Sequence, residues 1–199
     1  MPTTPGEEGG LPRRGVYVAY ALELAPDPLA TALAHAWLGA VCVEIEDWEQ
    51  ATFALFHAYE RFHEWKCRPS QALVCAWLSE ALLGRGQLQR AMELAGEGLA
   101  LSEEFGFPFT QALARRALGR IARARDAREE SEGHFLAAYK GFQSLGAAYE
   151  GPRTLFDLAA LADASGRPEA AAIHLATARK AFSDLGVAFY ATRPAVLTG

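Results

Sequence analysis

The amino-acid sequence predicts an all-α protein, an α-α superhelix (solenoid) of about four helix pairs preceded by one further helix. Three observations support this prediction. Side-chain chemistry recurs every forty residues, each forty-residue copy divides into two helical stretches, and no strand-like alternation of useful length occurs. Such recurrence is typical of repeat proteins, because one helix pair cannot bury both of its faces and neighbouring pairs must stack.

The forty-residue period is visible first in the sequence Ala-Trp-Leu, which ends at Leu38 and returns at Leu78. Four columns of this period keep their chemistry: one is leucine throughout, two are small, and one is large and apolar. The columns are Leu38, Leu78, Leu118 and Leu158; Gly39, Ser79, Gly119 and Ala159; Ala51, Ala91, Ser131 and Ala171; and Trp65, Phe105, Leu145 and Leu185. The small columns predict close approach of the two helices of a pair, with the leucines filling the seam between them.

Breakers that contain Gly or Pro separate the helical stretches, and Pro168 stands where a helix start favours proline. The first helices are predicted at about 31–45, 71–84, 111–125 and 153–165, and the second helices at about 48–66, 88–105, 128–145 and 168–185. We expect one domain over 13–199 after a disordered tail at 1–12, with copies at about 31–70, 71–110, 111–150 and 151–190. The apolar segment GVYVAYALELA at 15–25 predicts a lone helix, which either caps the first pair or folds into the groove of the array.

Composition narrows the classes of function. The net charge of −5 disfavours nucleic acid and anionic membrane as direct partners. The longest apolar run carries Glu23 and stops at Pro26, so a membrane-spanning helix is not expected. Three cysteines do not make a disulfide framework, and a reduced, cytoplasmic setting follows. The chain contains no Asn, which fits a thermophilic source.

The order of a large residue, Leu and Gly, then a Gly-containing turn, then a small residue and an aromatic or Leu resembles the tetratricopeptide repeat (TPR). The segments that carry the resemblance are WLGAVC, ALGRIARARDAREESEGHF and DLAALADASGRPEAAAIHL, and it extends over about 31–186. The usual repeat has about 34 residues, so forty predicts longer second helices. This longer form is similar to arrays in bacterial transcription activators and peptide-sensing regulators.

The resemblance implies a scaffold or regulatory module without catalytic activity, which binds a protein or peptide segment in a concave groove lined by the first helices. An alternative that it also implies is the ligand- or peptide-sensing domain of a transcriptional regulator. The groove residues that the resemblance assigns change from apolar to basic along the array. They are Leu33, Val43, Leu73 and Leu83, followed by Arg116, Arg120, Arg123 and Arg153.

Each half of this groove has two interpretations. Arg116, Arg120 and Arg123 share one helix face, and their guanidinium groups suit a carboxylate or phosphate on the partner. Alternatively the arginines form a solvated face that pairs locally with the carboxylates of Asp126, Glu129, Glu130 and Glu132. The apolar half is either an exposed binding patch or the surface that the segment 15–25 covers.

No catalytic, metal or cofactor site is expected. His134 and His174 occupy equivalent positions but lack further ligands, and His63, Cys67 and Cys75 are too loosely spaced for zinc. The apolar C-terminal sequence VAFYATRPAVLTG does not resemble a polar capping helix. It suggests a homodimer through 182–197, with Phe182, Phe189, Tyr190 and Val196 at the contact, or burial against a partner or the rest of a longer chain.

Overall fold

The computed structural model describes residues 27–191, and their regular structure is entirely helical. The helices are α1 (Pro28–Glu44), α2 (Trp48–Glu64), α3 (Arg68–Gly84), α4 (Leu88–Glu104), α5 (Pro108–Ala124), α6 (Arg128–Ser144), α7 (Glu150–Ala164), α8 (Pro168–Asp184) and α9 (Ala188–Ala191). Helices α1 to α8 form four antiparallel pairs, and each pair packs on the next in chain order. The predicted all-α superhelix is confirmed. The predicted tail at 1–12 and the predicted helix at 15–25 lie outside the described residues.

The two helices have equal lengths in the first three pairs, where the expectation of longer second helices is wrong; in the fourth pair α7 has 15 residues and α8 has 17. Each helix from α1 to α6 has 17 residues. The first helices begin about three residues earlier than the sequence pattern indicates, at Pro28, Arg68 and Pro108. Proline lies in the first turn of each of these helices, where its missing N–H has no intrahelical acceptor to lose.

The turns repeat every twenty residues, at half the period of the side-chain columns. Seven of the turns have three residues, and the one between α6 and α7 has five, 145–149. The second residue of each turn has a positive φ, and these residues are Glu46, Lys66, Gly86, Gly106, Asp126, Gly146, Gly166 and Gly186. Each turn is a Schellman motif. At the second turn, for example, the Cys67 N–H donates to the Phe62 carbonyl over 2.9 Å. The same turn geometry at equal spacing gives the array its regularity, and among α1 to α8 only α7, which follows the five-residue connection, is shorter than 17 residues.

The small columns act as the sequence predicted. A Cβ added to Gly39 would lie 2.3 Å from Cγ of Leu55, and one added to Gly119 would lie 2.6 Å from Cδ1 of Phe135. The Ser131 hydroxyl donates to the Gly119 carbonyl over 2.8 Å and ties the third pair together. Close helix contact therefore depends on the absence of a side chain at these positions.

The C-terminal helix α9 begins in register with the earlier first helices and packs on α8. Phe182 and Tyr190, both proposed for a dimer contact, are buried within the chain, and their rings stack at 4.6 Å. Val196 lies outside the described residues. The homodimer stays a prediction, and these two side chains are already covered by the chain itself.

Candidate functional site

The first helices form the inner side of the array. The backbones of α1, α3, α5 and α7 each approach the next first helix along the stack, whereas among α1 to α8 the backbones of the second helices approach only those of first helices. A stack that brings one set of helices together and spreads the other is curved, with the first set on its concave side.

Seven charged side chains from all four first helices meet on this inner side. They are Glu44 of α1, Glu80 of α3, Arg116 and Arg120 of α5, and Glu150, Arg153 and Asp157 of α7. We name them the central charge network. It joins three guanidinium groups to four carboxylates, and most of its ion pairs connect different copies.

Arg116 is the buried centre of this network, with no solvent exposure. Its guanidinium pairs with Glu80, Nε to Oε1 at 3.4 Å, and also with Glu150. The same group lies 5.8 Å from the centre of the Phe142 ring, a favourable position for a cation. Both carboxylates are therefore necessary, because an unpaired guanidinium at this depth would be strongly destabilising.

Arg120 extends the network toward solvent, and 21% of its side chain is exposed. It holds Asp157 with two parallel hydrogen bonds, from Nε over 2.8 Å and from Nη2 over 3.0 Å. Its Nη1 reaches Glu80 Oε2 at 2.7 Å. This bidentate contact matches the planar guanidinium to the carboxylate of Asp157, and it fixes the spacing of α5 and α7.

At its other end the network connects the first helix to the last helices of the array. Glu44 of α1 contacts residues more than a hundred positions later in the sequence. Arg153 Nη2 lies 2.5 Å from Glu44 Oε1, and the Tyr149 hydroxyl donates to Glu44 Oε2 over 3.3 Å. The Tyr190 hydroxyl of α9 donates to the same oxygen. The first and last parts of the array therefore meet on the inner side.

The pKa values of the network follow from its pairing. Burial alone would raise the pKa of the Glu150 carboxyl, but Arg116 and Arg153 outweigh burial and hold that pKa at about 2. At Asp157 burial would likewise raise the pKa of the carboxyl, but Arg120 outweighs burial and lowers it. Both carboxylates are ionised at neutral pH, so their contacts with Arg116, Arg120 and Arg153 are ion pairs.

Arg123 is the one predicted groove arginine that has no direct partner in the described part of the chain. It is half-buried, and it makes no ion pair or hydrogen bond with any residue of 27–191. Burial and the neighbouring Arg120 lower its pKa, while Asp157 opposes them. Forty residues earlier the equivalent position is the half-buried Leu83, and forty later it is the exposed Asp163. We name Leu83, Arg123 and Asp163 the rim row.

The predicted basic half of the groove is not a free basic surface. Arg116, Arg120 and Arg153 lie in one network, and carboxylates from other copies pair with them. The local acids that were the alternative partners pair elsewhere: Asp126 with Arg128, and Glu132 with Arg167. Whether the arginines contact a partner stays a prediction.

The predicted apolar half is also different from a continuous patch. Val43 is 5% exposed and belongs to the core, Leu33 is 39% exposed, and Leu73 and Leu83 are half-buried. Leu33 and Leu73 lie early in their helices, whereas Leu83 is at the end of α3. The accessible apolar side chains therefore belong to two separate places.

The predicted site residues include the three arginines of the network but none of its four carboxylates, Glu44, Glu80, Glu150 and Asp157. A signal was present for Asp157, because its column otherwise holds Trp37, Trp77 and Ala117. A carboxylate in an otherwise apolar column requires a cation nearby when it is buried. The partner could not be identified without the twist that brings α5 and α7 together.

Other candidate chemistry is limited. Within residues 27–191 no group of three His, Cys, Asp or Glu side chains is arranged to hold a metal ion. His134 lies 3.9 Å from Glu130, and His63 contacts Gln71, with Nδ1 and Nε2 3.0 Å apart. None of the described helices combines the length and the apolar character that a membrane crossing requires.

No protein-family model and no curated protein matches the chain. Solved helical structures do match it. The apo form of RapI has a TM-score of 0.66 at 15% identity, covering 89% of this chain and 65% of RapI. A Rap protein complexed with Competence and Sporulation Factor has a TM-score of 0.76 at 14% identity, over 89% and 50% of the two chains. BtubC (BKLC) from P. vanneervenii has a TM-score of 0.53 at 16% identity, over 90% and 93%.

These comparisons show the fold alone, because the identities are low. The chain spans about two thirds of RapI and half of the other Rap protein. A TPR-like helical-repeat fold is consistent with all three structures.

Proposed function

We propose that this chain is an interaction module, a scaffold or regulatory domain, that binds a protein or peptide segment at the rim row on its inner side. Arg123 is the observation that carries the proposal. It is a half-buried guanidinium without a direct partner among the described residues, on the side where four helices converge. A partly desolvated charge of this kind is stabilised when a ligand supplies the missing acceptor.

The rim row defines the chemistry of the partner. Arg123 suits a carboxylate, the half-buried Leu83 an apolar side chain, and the exposed Asp163 a basic or hydrogen-bond-donating group. The partner segment therefore carries an acidic residue between an apolar and a basic one. Arg120 lies beside Arg123 and is 21% exposed, so it provides a second donor group at the same place.

The central charge network supports a role in specificity. Buried ion pairs contribute little net stability compared with apolar packing of the same volume. Here they occupy the inner side, where apolar residues would give a simpler core. A fixed array of charges at the base of a binding surface rejects segments whose charges do not match. The similarity in fold to a Rap protein complexed with Competence and Sporulation Factor is consistent with recognition by such an array.

Selection from a random peptide library on the immobilised native chain tests the proposal. We expect the bound peptides to be enriched in Asp or Glu at one position, flanked by an apolar residue. Selection on Arg123→Glu should replace that acid by Lys or Arg, because the charge at the recognition point is reversed.

Arg115→Glu is the matched control, since Arg115 lies in the same helix but pairs with Glu103 of α4 at 2.8 Å. Peptides selected on the native chain should bind this variant unchanged. Equal binding of the same peptides to the native chain and to Arg123→Glu, or no enrichment at all, would contradict the proposal.

A sensing domain of a transcriptional regulator is the second candidate, and the closure of the network across the array favours it. Glu44 and Arg153 connect the first copy to the fourth. A ligand that competes for one of these ion pairs would change the curvature of the whole array. Small-angle scattering with and without a selected peptide separates the two functions, because only a sensor changes its radius of gyration on binding.

A further inference from the structure

The first helix has an open face that is closed in every later copy. Ala34, Trp37 and Val41 lie along one side of α1; Trp37 is 55% exposed and the other two are half-buried. Their equivalents are almost fully buried in the later first helices. These equivalents are Val74, Trp77 and Ala81 in α3, Ala114, Ala117 and Ile121 in α5, and Thr154, Asp157 and Leu161 in α7.

The preceding helix pair provides the cover in the later copies. Trp77 packs on Trp37 with ring centres 5.4 Å apart, and each second helix contacts the first helix that follows it. No pair precedes α1 among the described residues. The open face is therefore the place where the array would accept one more helix.

Twenty-six residues of this sequence stand before Asp27 and Pro28, and their apolar part is the segment 15–25. Asp27 is extended, with φ −148° and ψ 164°, and its carboxylate accepts a hydrogen bond from the Ala30 N–H over 2.8 Å. Proline after Asp27 favours this extended backbone. Only Pro26 and Asp27 separate the segment from α1, so the C-terminal end of the segment cannot lie far from the first turn of α1.

The register of the segment supports its identity as the missing helix. In the forty-residue period Val18 aligns with Ala58, and Leu22 aligns with Phe62. These are fully buried columns of the second helices. Val16 and Tyr20 align instead with columns that are exposed in every copy, beginning with Phe56 and Glu60. An 11-residue helix is about 16 Å long, which is enough to pass Ala34 and Trp37.

We propose that residues 15–25 form a helix that packs antiparallel on the open face of α1, with Val18 and Leu22 against Ala34, Trp37 and Val41. The occupant is this segment of the chain, in the position that a second helix takes against the next first helix. The turn differs from the other turns of the array, because Pro26 stands at the position of positive φ and proline holds φ near −65°.

Hydrogen exchange of the full chain tests this placement. Val18→Asp should accelerate exchange of the amides in 31–41 by about tenfold, because it puts a charge into the contact. Val16→Asp is the matched control, with the same change on the outer side of the helix, and should leave these amides unchanged. Native-like rates in both variants would overturn the proposal, and so would equal acceleration in both.

A disulfide provides a second measurement that does not depend on destabilisation. In a Cys67→Ser background, Val18→Cys with Ala34→Cys should oxidise within the monomer, whereas Val16→Cys with Ala34→Cys should not. Light scattering is run on the native chain and on Val18→Asp. A native dimer that this variant dissociates would show that a second copy covers the face and would overturn the proposal.

Discussion

At the scale of single residues, Arg116 shows how a charge is kept in the interior. The guanidinium has no contact with solvent and is shared by Glu80 and Glu150, from the copies before and after it. Its place among the groove residues of α5 is what the resemblance to the TPR implies. Its burial could not be predicted, because that depends on carboxylates 34 and 36 positions away in the sequence.

Arg116→Met tests the role of this charge. The variant keeps a long side chain but leaves Glu80 and Glu150 without their central partner, so the free energy of unfolding should fall by about 3–5 kcal/mol. Urea denaturation followed by circular dichroism measures the change. Arg115→Met is the control and should change stability by less than about 1 kcal/mol, because that side chain is in an exposed ion pair. Equal losses in both variants would show that the network has no special role.

At the scale of the elements, the eight turns set the helix lengths. The sequence pattern predicted the helices, but it placed the starts of the first helices too late. Residues such as Arg68, Pro69 and Ser70 carry no apolar periodicity, although they form the first turn of α3. Turn chemistry located five of the positive-φ residues through their glycines. It could not locate the remaining three turns, where Glu46, Lys66 and Asp126 adopt the same conformation.

Lys66→Gly is expected to stabilise the protein. Lys66 has a φ of 55° at the end of α2, and a residue with a Cβ is strained in this left-handed region by about 1 kcal/mol. The urea midpoint should rise with an unchanged slope. Lys66→Ala removes the same charge and side chain but keeps the strain, so its midpoint should stay near that of the native chain. A midpoint that rises equally in both variants would assign the gain to the lost lysine.

At the scale of the whole molecule, the twist of the array decides which side chains meet. The period predicted stacked pairs, and the structure confirms them. The period could not predict that Glu44 and Arg153 meet, 109 positions apart, because that contact depends on the summed rotation of four copies. The same rotation converts a predicted row of free arginines into a set of ion pairs and leaves Arg123 at its edge.

The central charge network makes the free energy of unfolding depend on pH in the acidic range. The pKa of Glu150 is about 2 in the folded chain, below its ordinary value of 4.5, so its contribution is complete above about pH 4.5 and is lost as the pH falls toward 2. The difference corresponds to a free energy of unfolding on the order of 3 kcal/mol. Glu150→Gln should be less stable than the native chain at pH 6, and the two should converge near pH 2. A constant difference in urea-derived stability across this range would contradict the assignment.

The most direct test of the central claim is a double-mutant cycle between Arg123 and the acidic residue of a selected peptide. Affinities of the native chain and Arg123→Gln are measured by fluorescence anisotropy for the acidic peptide and for its amide variant. A direct charge-assisted contact predicts a coupling free energy of about 1.5–3 kcal/mol. Additive losses, with no coupling between Arg123 and the peptide acid, would place the binding surface elsewhere and contradict the claim.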